Sequence, residues 1–569
     1  MHSMLDSPPR TYDEAKTRVD GSLWLAAMQA EMNSVQALDT WYPVQRVPGM
    51  KVLPVRWVMN KKLDEKGDVA QYKARIVAKG FMQQKGVDVE DVYAPVTSKS
   101  TWRVLLAFAV HRRMHVRQLD VRTAFLNGKL EEEVYIEQPD GFEVGDRKFV
   151  VLKLNRALYG LKQASRVWYN TLKNVVLAYD LRQSQFDPAL YIGRLEKGLV
   201  FLLTYVDDFL LDAEHESDGD LLEAYLNSKF QLKKMTGQLF LGIRMMRSGG
   251  EQDTPLTITL TQETMILSAC EQVAGDPDFL KAAMTPTSNM EFCEPRTPDE
   301  PVLDWQMHAN YRSLVGTLLY VSVCTRPDIA FAVGVLTRHL VEPCKRHWKA
   351  ALQVLRYLRS TVNLGITYSS DGPSQLECFS DSDWGSQKEP RRSTTGCVFT
   401  LAGGAVSWQS KRQQTVSVST LEAEYQAGGA SARESAWMQG LFAEISTKFQ
   451  VMNISIDNTA AIDLTKKGAV TERSKHIDII HHFIREKYEE KTVTICHIPS
   501  SDNTADVLTK HISPELFMKH RLGMGIKDPP GVVIRELPAP DPVHKPGRLD
   551  QPEDFITSDK VGHVVVRKS

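Results

Sequence analysis

The stretch LLTYVDDFLL, Leu202 to Leu211, sets two adjacent carboxylates, Asp207 and Asp208, inside an apolar run of the length that forms a buried strand. Burying an unpaired charge is expensive, so the pair must be neutralised, solvated at a turn, or holding a cation. The flanking runs FLLTYV and FLLD predict a strand-turn-strand hairpin with both carboxylates at its tip, open enough to bind metal. One hairpin cannot hold a catalytic metal pair alone. A third carboxylate is available in VRQLDVRTAFLNG, where a short strand, His115 to Leu119, delivers Asp120 before the chain turns toward Phe125. Three carboxylates on neighbouring strand ends suit two Mg2+ ions about 3.5–4 Å apart. Because Mg2+ keeps waters and substrate phosphates in its shell, few protein ligands suffice.

Composition narrows the setting. At 569 residues the chain exceeds what one core usually supports, and an apolar fraction of 42% excludes disorder throughout, so two or more domains are expected. The net charge of −1 means that any polyanion must be bound by local patches. One such patch runs from Arg56 to Lys85, with eight Lys/Arg against three Asp/Glu, although a run of this kind is also what a solvated surface looks like. Seven scattered cysteines, with no CxxC pair and no Cys/His cluster, argue against a disulfide framework and a zinc site. The polar N-terminus and the lack of any run of 18 apolar residues predict a soluble, intracellular, non-secreted protein without a membrane span.

A second acidic set follows. LECFSDSDWG ends a strand at Asp381, TGCVFTLAGGAVSWQS reads as a hairpin turning at Gly403 and Gly404, and QTVSVS leads into a helix that starts at STLEAEY. Ser419 with Glu422 fits a capping box, which explains Glu422 structurally and leaves Glu424 without such an explanation. NISIDN delivers Asp457 ahead of another helix, and TVTICHI runs into PSSDNTADVLTKHI, which offers Asp506. Asp383 competes with Asp381 for the first position; the DW pair fits a turn, which favours Asp381.

The ordered set RWVMNKKLDEKG, YKARIVAKGFMQQKGVD, QLDVRTAFLNGKLEEEVYIEQPDGF, LYGLKQASRVWY, YVDDFLL and FLGI, from about Trp41 to Ile243, resembles the reverse transcriptase of copia-type LTR retrotransposons. YRSLVGTLLYVSVCTRPDIAFAVGVL matches the family's region between polymerase and nuclease, and the order Asp, Glu, Asp, Asp in the last part resembles the ribonuclease H fold. The resemblance implies a right-hand α/β (α+β) polymerase followed by a ribonuclease H-like α/β domain. Asp120, Asp207 and Asp208 would be metal carboxylates of the palm, and Lys73 and Arg75 in YKAR would neutralise an incoming triphosphate. Phe125 would block a ribose 2′-OH, Gln163 would line the template-nucleotide pocket, and FLGI would be a primer-grip turn, although Phe125 and FLGI also read as core. Asp381, Glu424, Asp457 and Asp506 would bind the nuclease's metals, with His497 as a candidate for product release. His476, His481 and His482 also match the family pattern and read as packing or surface residues. One departure is visible: Leu421 in STLEAEY, which blurs the register of Glu422 more than that of Glu424.

The expected function is RNA-directed DNA polymerase with ribonuclease H. The alternative is an inactive or domesticated relic that only binds nucleic acid. Expected partners are an RNA template, a DNA primer, dNTPs and the RNA-DNA hybrid, with assembly as a dimer or in a virus-like particle. Two Mg2+ per site are expected, with Mn2+ as a substitute, in the cytoplasm (in the particle), the nucleus, or both.

Five segments are predicted: a helical lead-in (1–40), fingers and palm (41–247), a thumb or connection (248–371), a nuclease domain (372–512) and a Pro-rich, largely disordered tail (513–569). Within the third segment the loop RSGGEQDTP reads as a hairpin turn, Thr285 to Trp305 as an interdomain linker, and HWKAALQVLRYLRS as a core-facing helix.

Overall fold

Thr204 and Phe209 pair across a tight antiparallel hairpin, so the apolar run around the two aspartates is indeed a pair of strands joined at Val206–Asp207. The computed structural model describes residues 7–63, 69–86, 88–235, 239–251, 254–279, 281–383, 391–446, 451–467 and 483–530. It has the mixed α/β character that the sequence predicts. Two units divide the chain: Met1–Thr97 with His115–Met235, and Ser98–Met114 with Thr236–Ser569.

In the first unit, the long hairpin β1 (Val55–Leu63) and β2 (Val69–Ala78) carries the basic patch. A separate antiparallel sheet contains β3 (His115–Val121), β4 (Leu190–Arg194), β5 (Leu199–Tyr205), β6 (Asp208–Ala213) and β7 (Leu232–Lys234). Its spatial order is β7-β3-β6-β5-β4, with the short strand Arg182–Gln183 on the β4 edge. Strand alternation sends Val200, Leu202, Phe209 and Leu211 to one face. There they share a core with Trp168, Leu172 and Val176 of helix Ala164–Leu177 and with Leu222 and Leu226 of helix Glu216–Lys229. Each such side chain contributes about 1.5–3 kcal/mol when fully buried. The opposite-facing Phe201, Leu203 and Leu210 are buried too, so β5 and β6 read as continuous apolar runs rather than as alternating ones.

In the second unit, helix Lys99–His111, capped by Ser98 accepting from the Thr101 N–H, is buried from Thr101 through Val110. A helix apolar all round belongs inside a core. The segment lies within the 41–247 stretch of sequence yet packs with the C-terminal part of the chain. Its Arg103 is buried, donates to the Val406, Val323 and Cys324 carbonyls, and stacks over Trp408 at 3.9 Å.

Strands β8 (Ile243–Ser248) and β9 (Thr257–Thr261) flank the RSGGEQDTP loop, and β10 (Gly365–Ser369) pairs with β9. Between them, Thr285 to Trp305 is packed: Phe292 and Cys293 are buried, and Arg346 donates to the Glu291 and Pro295 carbonyls. Helix Lys345–Ser360 buries Trp348, Leu352, Leu355 and Leu358, the stripe read from the sequence.

A five-stranded sheet closes the unit: β11 (Glu377–Ser382), β12 (Thr394–Leu401), β13 (Gly404–Arg412), β14 (Met452–Ile456) and β15 (Val493–His497). The order is β13-β12-β11-β14-β15; the first three are antiparallel, and β14 and β15 run parallel to β11. The β12–β13 turn is Ala402–Gly403, both with positive φ, rather than Gly403–Gly404. A 27-residue helix, Thr420–Ser446, packs on this sheet.

Beyond residue 512, helix Pro514–Gly523 and strand Ile526–Lys527 are formed, whereas 531–569 and the histidines at 476, 481 and 482 lie outside the described residues. All seven cysteines are free. Among the described residues no helix is long and apolar enough to cross a membrane.

Candidate active sites

The β5–β6 turn spans only Val206 and Asp207, and Val206 has φ +57°. For a β-branched residue this is a strained conformation that the surroundings must hold. Two hydrogen bonds do so: the Trp168 indole N–H donates to the Val206 carbonyl at 2.7 Å, and the Val121 N–H donates to the Asp207 carbonyl at 2.8 Å. The turn leaves Asp207 half-buried at the tip and Asp208 buried at the start of β6.

Asp208 is the register partner of Asp120 on β3, and Lys233 on β7 faces Asp120 from the other side. Directly opposed carboxylates repel unless a cation lies near. Lys73 of β2 is within electrostatic reach: burial and then Arg75 pull its ammonium down to about 8, while Asp207 and Asp120 pull it up.

Phe125 lies in the short turn Ala124–Asn127, half-buried and edge-on to Tyr159. Gln163 is 1% exposed. Its carbonyl accepts from the Gln83 amide at 3.1 Å, and its own Nε2 has no partner among the described residues. FLGI forms the tip of a small hairpin in the second unit, with Leu241 and Gly242 at positive φ. Phe240 there is core, stacked on Trp102 at 5.6 Å.

The second acidic set is deeper. Asp381 on β11 is 1% exposed, and Asp506 in the turn Thr504–Leu508 is 3% exposed. Asp457 directly follows β14. Oxygens from these three carboxylates lie within 4.8 Å of one another, the one His/Cys/Asp/Glu trio so placed among the described residues. Glu424 stands beside them: its Oε1 accepts from the Ser382 N–H at 3.3 Å, and its buried Oε2 has no hydrogen-bond partner among the described residues. Burial, with Asp381 and Asp457 next, pushes the Glu424 carboxyl well above the usual range. Asp381 is raised chiefly by burial. Burial and then Asp381 push Asp506 up to about 7.

The counter-charge is Lys510, whose Nζ lies 3.1 Å from Asp506 and 3.6 Å from Asp381. Thr509 donates its hydroxyl to Asp381, and Ser500 donates to Asp457 at 2.6 Å. Asp383 is turned to a different task, accepting from the Thr394 N–H of the neighbouring strand. Ser419 accepts from the Glu422 N–H, and Glu422 in turn accepts from Val418, one residue before the cap expected to receive it. His497 ends β15, exposed, in register with Ile456.

Sequence reasoning passed over Trp168, Tyr159 and Lys510. The spacing of Asp506 and Lys510, four apart in ADVLTK, was a usable signal for the last. For the aromatic pair no local signal existed, because both act across long stretches of chain.

Residues 38–272 match the family described as reverse transcriptase (RNA-dependent DNA polymerase). The chain is 36% identical over 528 residues to the retrovirus-related Pol polyprotein from transposon TNT 1-94 of Nicotiana tabacum, covering 91% of this chain and 39% of that polyprotein. It is 31% identical over 314 residues to a transposon Ty5-1 protein of Saccharomyces cerevisiae, covering 54% of this chain and 97% of that protein. Among solved structures it is similar to a foamy viral protease-reverse transcriptase in complex with RNA/DNA hybrid, at 10% identity and a TM-score of 0.45, over 87% of this chain and 55% of that one. The chain spans about two fifths of the tobacco polyprotein's length. With most of its length aligned to transposon Pol sequences and nearly all of the yeast protein covered, the chain belongs to the Pol family of copia-type LTR retrotransposons and contains its reverse transcriptase part.

Proposed function

We propose that this chain is an RNA-directed DNA polymerase whose C-terminal part is a ribonuclease H acting on the RNA of RNA-DNA hybrids. The observation that carries this reading is the convergence of carboxylates from separate strands: Asp120 opposite Asp208 beside the tip residue Asp207 in one unit, and Asp381, Asp457 and Asp506 in the other. In this reading 41–247 supplies fingers and palm, 248–371 thumb or connection, and 372–512 the nuclease.

Among the described residues the donor sets consist of hard carboxylate oxygens without thiolate or imidazole, which fits Mg2+, with Mn2+ as a substitute. Asp120, Asp207 and Asp208 would hold the ions of the polymerase, and Asp381, Glu424, Asp457 and Asp506 those of the nuclease. Such ions, when bound, activate the attacking oxygen and stabilise the leaving one.

The chain's own groups do the rest. Lys73 and Arg75 receive the triphosphate of a dNTP, the Lys as a point charge and the Arg as a fork. Phe125 occupies the space of a ribose 2′-OH, and the Gln163 Nε2 is a buried donor available to the template nucleotide. Partners are an RNA template, a DNA primer and the hybrid they generate, recognised through backbone charge and shape. Self-association as a dimer or inside a particle belongs to the same reading.

The test is primer extension on an RNA template with dNTPs and Mg2+, run beside hybrid cleavage. D207N with D208N should abolish extension by at least about a thousandfold and spare cleavage, and D381N should do the reverse. Extension by the double variant at the wild-type rate, or cleavage untouched by D381N, removes the corresponding site. A wild-type chain that binds hybrid but neither extends nor cleaves is the nucleic-acid-binding relic.

A further inference from the structure

Tyr159 touches both groups that the polymerase reading assigns to nucleotide selection, and it belongs to neither. The Arg75 guanidinium lies over the Tyr159 ring, 4.8 Å from its centroid. On the same ring, Phe125 stands edge-on, with centroids 5.1 Å apart and planes at 66°. Cation on face and edge on ring are the favourable geometries for both contacts. Arg75, Tyr159 and Phe125 therefore form one stack, drawn from β2, from the LYG turn and from the turn after Asp120.

The turn that presents Tyr159 is fixed on the β2 strand by backbone contacts. The Ala78 N–H donates to the Tyr159 carbonyl at 2.8 Å. Gly160, with φ +86°, and Gly80 lie so close that a Cβ on Gly80 would stand 2.0 Å from the Gly160 carbonyl oxygen, and one on Gly160 would stand 2.2 Å from the Ala78 oxygen. Two residues further on, Lys162 donates to Gln83 through both its backbone N–H, at 2.9 Å, and its ammonium, at 2.8 Å. Tyr159 thus moves with the end of the strand that carries Lys73 and Arg75. Phe125 is packed against both core clusters of the first unit and reaches that strand's guanidinium through the tyrosine ring.

We propose that Tyr159 is a positioning residue for substrate specificity, which sets the preference for deoxyribose by holding the Phe125 ring in a fixed relation to the guanidinium that receives the triphosphate. This rests on the polymerase reading of the first unit. A phosphate contact and a sugar contact that would otherwise be independent become coupled: loosening the guanidinium loosens the ring, and the reverse.

The experiment is single-nucleotide incorporation by the whole chain on an RNA template with a DNA primer, comparing a dNTP with the matching rNTP. Y159L is expected to raise KM for the dNTP and to narrow the dNTP/rNTP ratio in kcat/KM, each about three- to tenfold, with Y159F retaining both. R75K keeps a cation for the phosphate but not a plane to stack on the ring, so it should narrow the sugar ratio as well as raise KM. A wild-type ratio in Y159L, a ratio lost in Y159F as in Y159L, or an R75K effect confined to KM overturns the inference. Should Y159L fail to fold by circular dichroism, Y159F and R75K decide it. A wild-type chain that does not extend the primer overturns the polymerase reading and this inference with it, whereas extension with an unmoved sugar ratio overturns this inference alone.

Discussion

At the tip of the β5–β6 hairpin, Asp207 is half-buried and has Lys73 within electrostatic reach; in the C-terminal sheet, Asp381 and Asp506 are nearly sealed from solvent and press on one another. The first group is shaped by backbone strain and the second by charge. In the hairpin, a left-handed valine held by an indole hydrogen bond determines where the carboxylates point. In the C-terminal cluster, burial and like charge raise the carboxyls, and Lys510 is the chain's own counter-ion. A cation entering the second group relieves repulsion that already exists, so its binding there is coupled to protonation.

The largest effect that would sharpen this contrast is the pH dependence of the metal-free C-terminal cluster. Asp506 has a folded value of about 7 against an ordinary 3.8, so the folded state binds the proton more tightly. Its contribution is fully present below the ordinary value and is lost as pH rises through about 7. Hydrogen exchange of the β11 amides in EDTA should therefore show protection falling from pH 5 to pH 8, and Mg2+ should restore it. Protection that rises with pH in EDTA would break the contrast.

A smaller effect belongs to the strained turn. W168F keeps the aromatic bulk but removes the donor to the Val206 carbonyl. Primer extension should fall about tenfold, as expected for one lost hydrogen bond of roughly 1–1.5 kcal/mol, with hybrid cleavage unchanged. Equal loss of both activities would mean that the indole serves general folding rather than the tip.

The smallest separates burial from like-charge repulsion. Asp212, buried in β6, is raised to about 8 by burial alone, and its Oδ1 has no partner among the described residues. The folded state again prefers the proton, so stability drops by roughly 1.4 kcal/mol between pH 7 and pH 9 as pH passes that value. D212N should flatten this slope in urea unfolding followed at the first unit. An unchanged slope would assign it to another group.

Much of the site was legible because it is local. The run around Asp207 and Asp208 reads as strand, turn and strand from composition alone, and β11 and β14 deliver Asp381 and Asp457 at the ends of apolar segments. The stripe in helix Lys345–Ser360 was equally plain. Segments that answer to distant partners were not. Thr285 to Trp305 looks like a linker by its prolines, yet Arg346 ties its carbonyls and Phe292 is buried. Phe240, in a stretch that resembles a grip for primer, is held by Trp102 in the core.

What the sequence determined by itself is the identity and order of the carboxylates and the strands that carry them, because strand periodicity and turn chemistry act over a few residues. Only the tertiary structure decided that Asp120 faces Asp208, that Lys510 reaches Asp381, and that Tyr159 joins Arg75 to Phe125. These depend on sheet register and on loop contacts between residues dozens of positions apart. Burial then sets the energy of each charge, and burial is a property of the packed whole.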